Sequence, residues 1–291
     1  MSQTLLNRLL PSWGQIAPFA QSELSYIAVQ LIKENILMHG FRKHRLPLPL
    51  KPIGVENIGP DAHQISNSFR AEPVDQLKEG RTLQWGLWGY DKRLNKIATD
   101  PNVRLEPKSG QMSSALALWE KASRLMVIER LWLTTYPLLS FYVSRLSLGN
   151  VFWEVKLSDC MTRDKVIVGA NDVEKIACLW LNSTPGLLTI LCMRQDTRGP
   201  WIRIKKRPLG MIPILDVSQL NKVQVDNLLA LFEEIKDHPW PRLLSQLFDS
   251  INNCGVRYEL DRKMFNILTE EEVDLQVIYQ LLAKEPIITL K

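Results

Sequence analysis

Apolar residues return at Leu24, Ile27, Ala28, Leu31 and Ile32, the three-and-four spacing of one helical face, so the chain predicts a helix over 16–38 with Gly40 as its stop. The pattern breaks at Leu46-Pro47-Leu48-Pro49-Leu50-Lys51-Pro52. Proline lacks an N–H and clashes within a helix, so this stretch is extended or at a sheet edge and marks a boundary. From 53 to 173 short strands and turns are expected. Trp85, Trp88 and Tyr90 around Gly86 and Gly89 predict an aromatic strand or hairpin over 83–90. Apolar runs predict strands over 124–134 and 138–143. Val151, Trp153 and Val155 alternate with Phe152, Glu154 and Lys156, the period of a strand over 150–157. A turn at 169–172, with Asn171 or Asp172 as helix cap, leads into a helix over 173–182. Pro185 then kinks that helix or opens a second one. Short strands are expected over 201–204 and 212–215. Helices are expected from Ser218 onward, the first capped by Asp216 or Ser218 and marked by Leu228, Leu229, Leu231 and Phe232, with others over 242–251 and 270–282.

The expected fold is therefore α+β: an N-terminal helical segment over 1–45, a mixed-sheet domain over 46–217 and a helical subdomain over 218–291. With 291 residues, 45% hydrophobic and 23% charged, the chain can bury a sizeable core. Its net charge of +5 is unevenly spread. Thirteen acids against eight bases make 216–291 about −5, so the remainder is about +10. The four cysteines, Cys160, Cys178, Cys192 and Cys254, form no Cys-x-x-Cys pair and have no histidine at ligand spacing, which predicts free thiols and no zinc site. The most apolar stretch, 176–193, is interrupted by Asn182, Ser183, Thr184, Pro185 and Gly186, which predicts a buried helix and its continuation rather than a membrane span. The first ten residues lack the pattern of a secretory signal. The expectation is a cytoplasmic protein with no membrane partner.

Several segments in order resemble one family. They are Leu179-Trp180-Leu181-Asn182-Ser183-Thr184-Pro185-Gly186-Leu187-Leu188, then Arg194-Gln195-Asp196-Thr197-Arg198-Gly199-Pro200-Trp201, then Lys205-Lys206-Arg207-Pro208-Leu209, then Met211-Ile212-Pro213-Ile214-Leu215-Asp216-Val217. Leu87-Trp88-Gly89-Tyr90-Asp91 upstream and Arg257-Tyr258-Glu259-Leu260-Asp261 downstream add fainter echoes. Together these are similar to the C-terminal target-recognition (TaqI-like specificity) regions of adenine-specific DNA methyltransferases of restriction–modification systems. The resemblance implies that 46–217 is a target-recognition domain and that 1–45 joins it to a catalytic part. It implies double-stranded DNA and a methyltransferase catalytic subunit or domain as partners. The Asn-Pro-Pro-Tyr tetrapeptide that holds a flipped adenine in such enzymes is absent from this sequence, as is the Gly-rich loop for S-adenosylmethionine. The expectation is thus a chain that is not catalytic alone and carries no cofactor, with S-adenosylmethionine bound by the partner. The alternative is a structural or scaffolding subunit of a phage-defence complex without specific DNA readout.

Candidate DNA-binding residues are Arg194, Arg198, Trp201, Arg203, Lys205, Lys206 and Arg207. Six cations face one acid, Asp196, across fourteen residues, and such a density neutralises phosphates. Trp201 on its own is expected in the core, with stacking on a base or sugar as the alternative. Asn182, Ser183 and Thr184 are expected to cap or bend a helix before Pro185. Trp85, Trp88 and Tyr90 are expected in a half-buried strand, with a stacking platform for an extruded strand as the alternative, and Trp153 is expected in the core. The Glu154-x-Lys156 pair echoes a nuclease metal site but has no acid well placed upstream, and is expected to be an ordinary strand pair.

Overall fold

The computed structural model describes residues 19–40, 44–74, 84–89, 94–133, 138–196, 201–269 and 271–289. The first helix, α1 (Ser22–Glu34), is shorter than its periodicity suggests. Asn35 ends it in the left-handed conformation at φ 54°, donating its N–H to the Gln30 carbonyl. Asparagine tolerates that conformation. The apolar residues that follow form β1 (Ile36–His39), which pairs antiparallel with β2 (His44–Pro47). Gly40, at φ 54°, lies in this hairpin rather than at a helix end. The proline run is extended as expected. β3 (Leu50–Pro52) lies along a distant strand, with Pro52 opposite Pro213.

Two short helices interrupt the strand region and were not foreseen. α2 (Ala62–Ser68) opens on a capping box in which Asp61 accepts from Gln64 N and Gln64 accepts from Asp61 N. After β4 (Phe69–Pro73), β5 (Gln84–Leu87), β6 (Ala98–Thr99) and β7 (Val103–Pro107) comes α3 (Met112–Trp119). Ile65 of α2 and Ala115 of α3 close a small core over Phe69, Val103, Leu105 and Leu148. The apolar run over 124–134 is two strands, β8 (Ser123–Ile128) and β9 (Arg130–Trp132), separated at Glu129. β10 (Ser140–Gly149) and β11 (Phe152–Glu154) follow. The largest sheet among the described residues has the order β11-β8-β10-β5-β7-β4, with β6 beside β10. β10 runs parallel to β5 and β6 and antiparallel to β8, so the sheet is mixed.

The hairpin β12 (Cys160–Met161) and β13 (Ile167–Val168) leads into α4 (Ala170–Asn182). Its cap is Gly169 rather than Asn171 or Asp172, and the Asp159 carboxylate takes the Ala170 N–H at 2.6 Å. α4 meets α5 (Thr184–Cys192) at a bend of 77°. Ser183 caps α5, its hydroxyl accepting from Gly186 N. A Cβ on Gly186 would lie 2.1 Å from the Trp180 carbonyl, so only glycine lets the two helices turn this tightly. The Asn182 side chain is wholly buried. It accepts from Leu139 N at 2.9 Å and donates to the Ser140 carbonyl at 2.9 Å, which ties the bend to β10. The polar run Asn182-Ser183-Thr184 is therefore structural, as expected. No single helix among the described residues is long and apolar enough to cross a membrane; α4 and α5 meet that measure only as a bent pair, and both are core helices.

The remaining elements are β14 (Gln195–Asp196), β15 (Trp201–Arg203), α6 (Lys206–Gly210), β16 (Pro213–Leu215), α7 (Lys222–Ile235), α8 (Leu243–Ile251), α9 (Gly255–Leu268), α10 (Gln276–Leu282) and α11 (Pro286–Thr289). Asn221, not Asp216 or Ser218, caps α7, with Gln224 completing a capping box. Asp216 instead accepts from Ser218 N at the preceding 3-10 turn. The fold is α+β, a mixed sheet with an N-terminal helix and C-terminal helices. The larger of two apolar cores among the described residues runs from Phe19 to Ile288, and the smaller one is that under α2 and α3. The four cysteines are unpaired. Burial raises the thiols of Cys178 and Cys192 to about 12.

Candidate nucleic-acid interface

Past Ile128 the chain leaves the large sheet and β9 joins a separate ribbon of order β14-β15-β9. The register sets Trp201 opposite Trp132, Ile202 opposite Leu131 and Arg203 opposite Arg130. Residues directly opposite share a face, and so do residues two apart along a strand. Ile202 is turned into the core, at 1% exposure. The other face carries two rows, an indole pair and a guanidinium pair.

The indole centres of Trp132 and Trp201 lie 5.2 Å apart with their planes tilted by 43°. They are 36% and 38% exposed, so the expectation that Trp201 lies in the core is corrected. It sits near the end of a short strand whose inward position is taken by Ile202. Of the buried tryptophans, Trp180 Nε1 donates to the Pro213 carbonyl at 2.8 Å and Trp153 Nε1 to the Ile204 carbonyl at 2.9 Å, whereas Trp240 Nε1 has no hydrogen-bond partner among the described residues. The second bond also pins the end of the ribbon to the main core.

Like charges facing each other across a strand pair repel. Glu129, only 1% exposed, offsets this, its Oε1 lying 3.0 Å from Arg203 Nη2 and 3.4 Å from Arg130 Nε. The two guanidiniums are thereby oriented, yet their side chains stay 43% and 51% exposed. Arg130, Trp132 and Glu129 were missed from the sequence. The signal was there: Arg-x-Trp at 130–132 and Trp-x-Arg at 201–203 are mirror images, which is what an antiparallel pair needs to place like beside like.

The other predicted contacts divide. Lys205 and Arg207 are exposed, at and just inside the start of α6. Lys206 points elsewhere, its ammonium donating to the Gly59 carbonyl at 3.0 Å. Burial lowers its proton affinity most, and Lys121 lowers it further. Arg194 is also turned inward. It is 6% exposed, donates to the Leu191 carbonyl at 2.7 Å and lies against the Phe19 ring. As placed, each of these cations is engaged by a backbone carbonyl of its own protein. Arg198 lies outside the described residues, as does Tyr90.

Glu154 and Lys156 do not converge. Lys156 reaches the Glu120 carbonyl at the surface, whereas Glu154 is wholly buried, one oxygen accepting from Gly149 N at 2.5 Å. Its other oxygen has no hydrogen-bond partner, and burial raises its pKa to about 8. Among the described residues no group of three or more His, Cys, Asp or Glu gathers as a metal site. A cleft of about 810 Å³ opens at the start of α4, but acids among its lining residues outnumber bases five to three. Lys175 there is paired with Asp172 and Glu233. The Ala170 N–H at that helix end is already held by Asp159, so the cleft offers little to an anion. Comparison of the chain with protein-family models, curated proteins and solved structures finds no match.

Proposed function

We propose that the chain is a sequence-specific DNA-binding module, the target-recognition part of an adenine DNA methyltransferase whose catalytic domain and S-adenosylmethionine site lie elsewhere. The observation that carries this is the ribbon: an exposed indole pair flanked by Arg130 and Arg203 and followed by exposed Lys205 and Arg207. Guanidinium and ammonium groups neutralise phosphates, and each neutralised phosphate releases counterions. Two indoles beside them supply flat faces for a base or sugar. A guanidinium held by a carboxylate keeps free donors for the O6 and N7 acceptors of guanine, which is readout rather than mere affinity. The acidic segment 216–291 packs on the same core, and its charge disfavours a DNA-facing role.

Titration of labelled duplexes of varied sequence at several salt concentrations tests this reading. The expected result is salt-dependent binding with one sequence preferred, and no methyl transfer from labelled S-adenosylmethionine by the chain alone. Binding that is absent, or indifferent to sequence, would favour a scaffolding subunit instead.

A further inference from the structure

The two arginines of the ribbon are not equivalent, and Glu129 is what separates them. Glu129 stands between β8 and β9 with its backbone held on both sides. Its N–H donates to the Val151 carbonyl at 2.9 Å, and its own carbonyl accepts from Ile204 N at 2.8 Å. The residue is 1% exposed, so its carboxylate is a fixed point beside the two guanidiniums.

Arg203 meets that carboxylate through a terminal nitrogen, Nη2 lying 3.0 Å from Oε1. Two more groups of the same ion pair, Arg203 Nε and Glu129 Oε2, are buried and have no hydrogen-bond partner among the described residues. They are the second donor and second acceptor that a guanidinium and a carboxylate join when they pair side by side. Buried and unmet, they are costly apart, which commits Arg203 to Glu129. Arg130 is held by the other end of its head, Nε lying 3.4 Å from the same oxygen. Its terminal nitrogens, Nη1 and Nη2, have no protein partner among the described residues. Its side chain is also the more exposed of the two, 51% against 43%. Arg130 therefore presents a whole planar fork whose root is anchored. Two parallel N–H donors in one plane match the O6 and N7 acceptors that guanine shows in the major groove.

We infer that Arg130 is the base-reading residue of the ribbon, taking a guanine edge through Nη1 and Nη2. Glu129 is the positioning residue that holds it for that contact, and Arg203 is the counter-ion of Glu129. This rests on the DNA-recognition reading and deepens it: the preferred sequence holds a guanine at the position that Arg130 meets.

The test uses the full chain. Wild type first selects its preferred duplex from a randomised pool. That duplex is then made with 7-deazaguanine, which lacks the N7 acceptor, at each guanine in turn. Wild type, Arg130→Ala, Arg203→Lys and Glu129→Gln are titrated against these duplexes over a salt series, and the thermal midpoint of each variant is checked. Arg130→Ala is expected to weaken binding to the preferred duplex about 5- to 150-fold, to relax the preference at one base pair and to change the salt slope little. At one guanine the replacement should weaken wild type and Arg203→Lys, leave Arg130→Ala unaffected, and act less on Glu129→Gln. If it weakened Arg130→Ala as much as wild type, or weakened wild type at no guanine, the assignment would be overturned while sequence recognition stood. An Arg130→Ala variant that bound all sequences more weakly and lost about one unit of salt slope would also overturn it, since that is the mark of a phosphate contact. A wild-type chain that preferred no duplex would remove the recognition reading itself, and this assignment with it.

Discussion

The Arg257 guanidinium donates to the Asn182 carbonyl at 2.9 Å, joining residues seventy-five positions apart. Asn182 is the last residue of α4 before the bend, and Arg257 belongs to the C-terminal helices. Around this bond Arg257 Nε donates to Gln246 Oε1 at 2.9 Å, and Asp261 accepts from Thr184 N and from the Tyr279 hydroxyl, each at 2.9 Å. All of these groups except the Tyr279 ring are at most 1% exposed, and that ring is 2% exposed. The C-terminal helices are thus fastened to the bend that also orders β10.

Removing one side of this network strands the other. Arg257→Ala leaves Asp261 buried without its countercharge, and a loss of stability of about 3–5 kcal/mol is expected. Arg262→Ala, which breaks an exposed pair with Glu259 one turn away, should cost at most about 1 kcal/mol. Urea unfolding of the two variants checks this. Equal midpoints would show that the network does not fasten the helices.

Glu154 sets a pH dependence. Burial raises its folded pKa to about 8 from the ordinary 4.5, so the folded state holds the proton more tightly than the unfolded one. Its contribution is fully present below about 4.5 and is lost as pH rises towards 8, where the carboxylate forms. Glu154→Gln resembles the protonated form and cannot ionise. Stability from pH 5 to pH 8.5, followed by urea unfolding, should fall less steeply in the variant. Parallel curves would mean that Glu154 does not carry the dependence.

Lys205 and Lys206 are neighbours with different tasks. Lys205→Ala and Arg207→Ala should each lower the salt slope of DNA binding by about one unit, because their charges face solvent. Lys206→Ala should leave that slope unchanged and lower the thermal midpoint, because its ammonium serves the Gly59 carbonyl. A slope change in Lys206→Ala as large as in Lys205→Ala would contradict this division.

The indole pair should matter to DNA and little to the fold. Trp201→Ala is expected to weaken binding by about 1–3 kcal/mol, the range for stacking of a base on an aromatic side chain. Its thermal midpoint should shift little, since the ring is partly exposed. A large loss of stability with unchanged DNA affinity would return Trp201 to a purely structural role.

Much of the frame was legible because periodicity reports burial. The helix α4, the apolar α5 after Pro185 and the extended proline run all follow from local pattern. What escaped was short or non-local. α2 and α3 are too short to show a period, although Asp61 and Gln64 spell a capping box. The end of α1 was hidden because Ile36, Leu37 and Met38 continue an apolar run that only their pairing with His44–Pro47 resolves as a strand. At the candidate site, local charge singled out Lys205 and Arg207, whose side chains are exposed. It could not separate them from Arg194 and Lys206, because which cation meets a buried carbonyl depends on Leu191 and Gly59. The partner tryptophan, Trp132, lies in a run that reads as one strand until Glu129 divides it.

The central claim is sequence-specific recognition of duplex DNA by the ribbon, and selection from a randomised pool tests it most directly. The full chain is mixed with duplexes of random sequence, and the bound fraction is recovered and sequenced. The account predicts enrichment of one short, adenine-containing sequence, lost when both Trp132 and Trp201 are replaced by alanine in a variant that still folds. Recovered duplexes with the base frequencies of the input pool would contradict it.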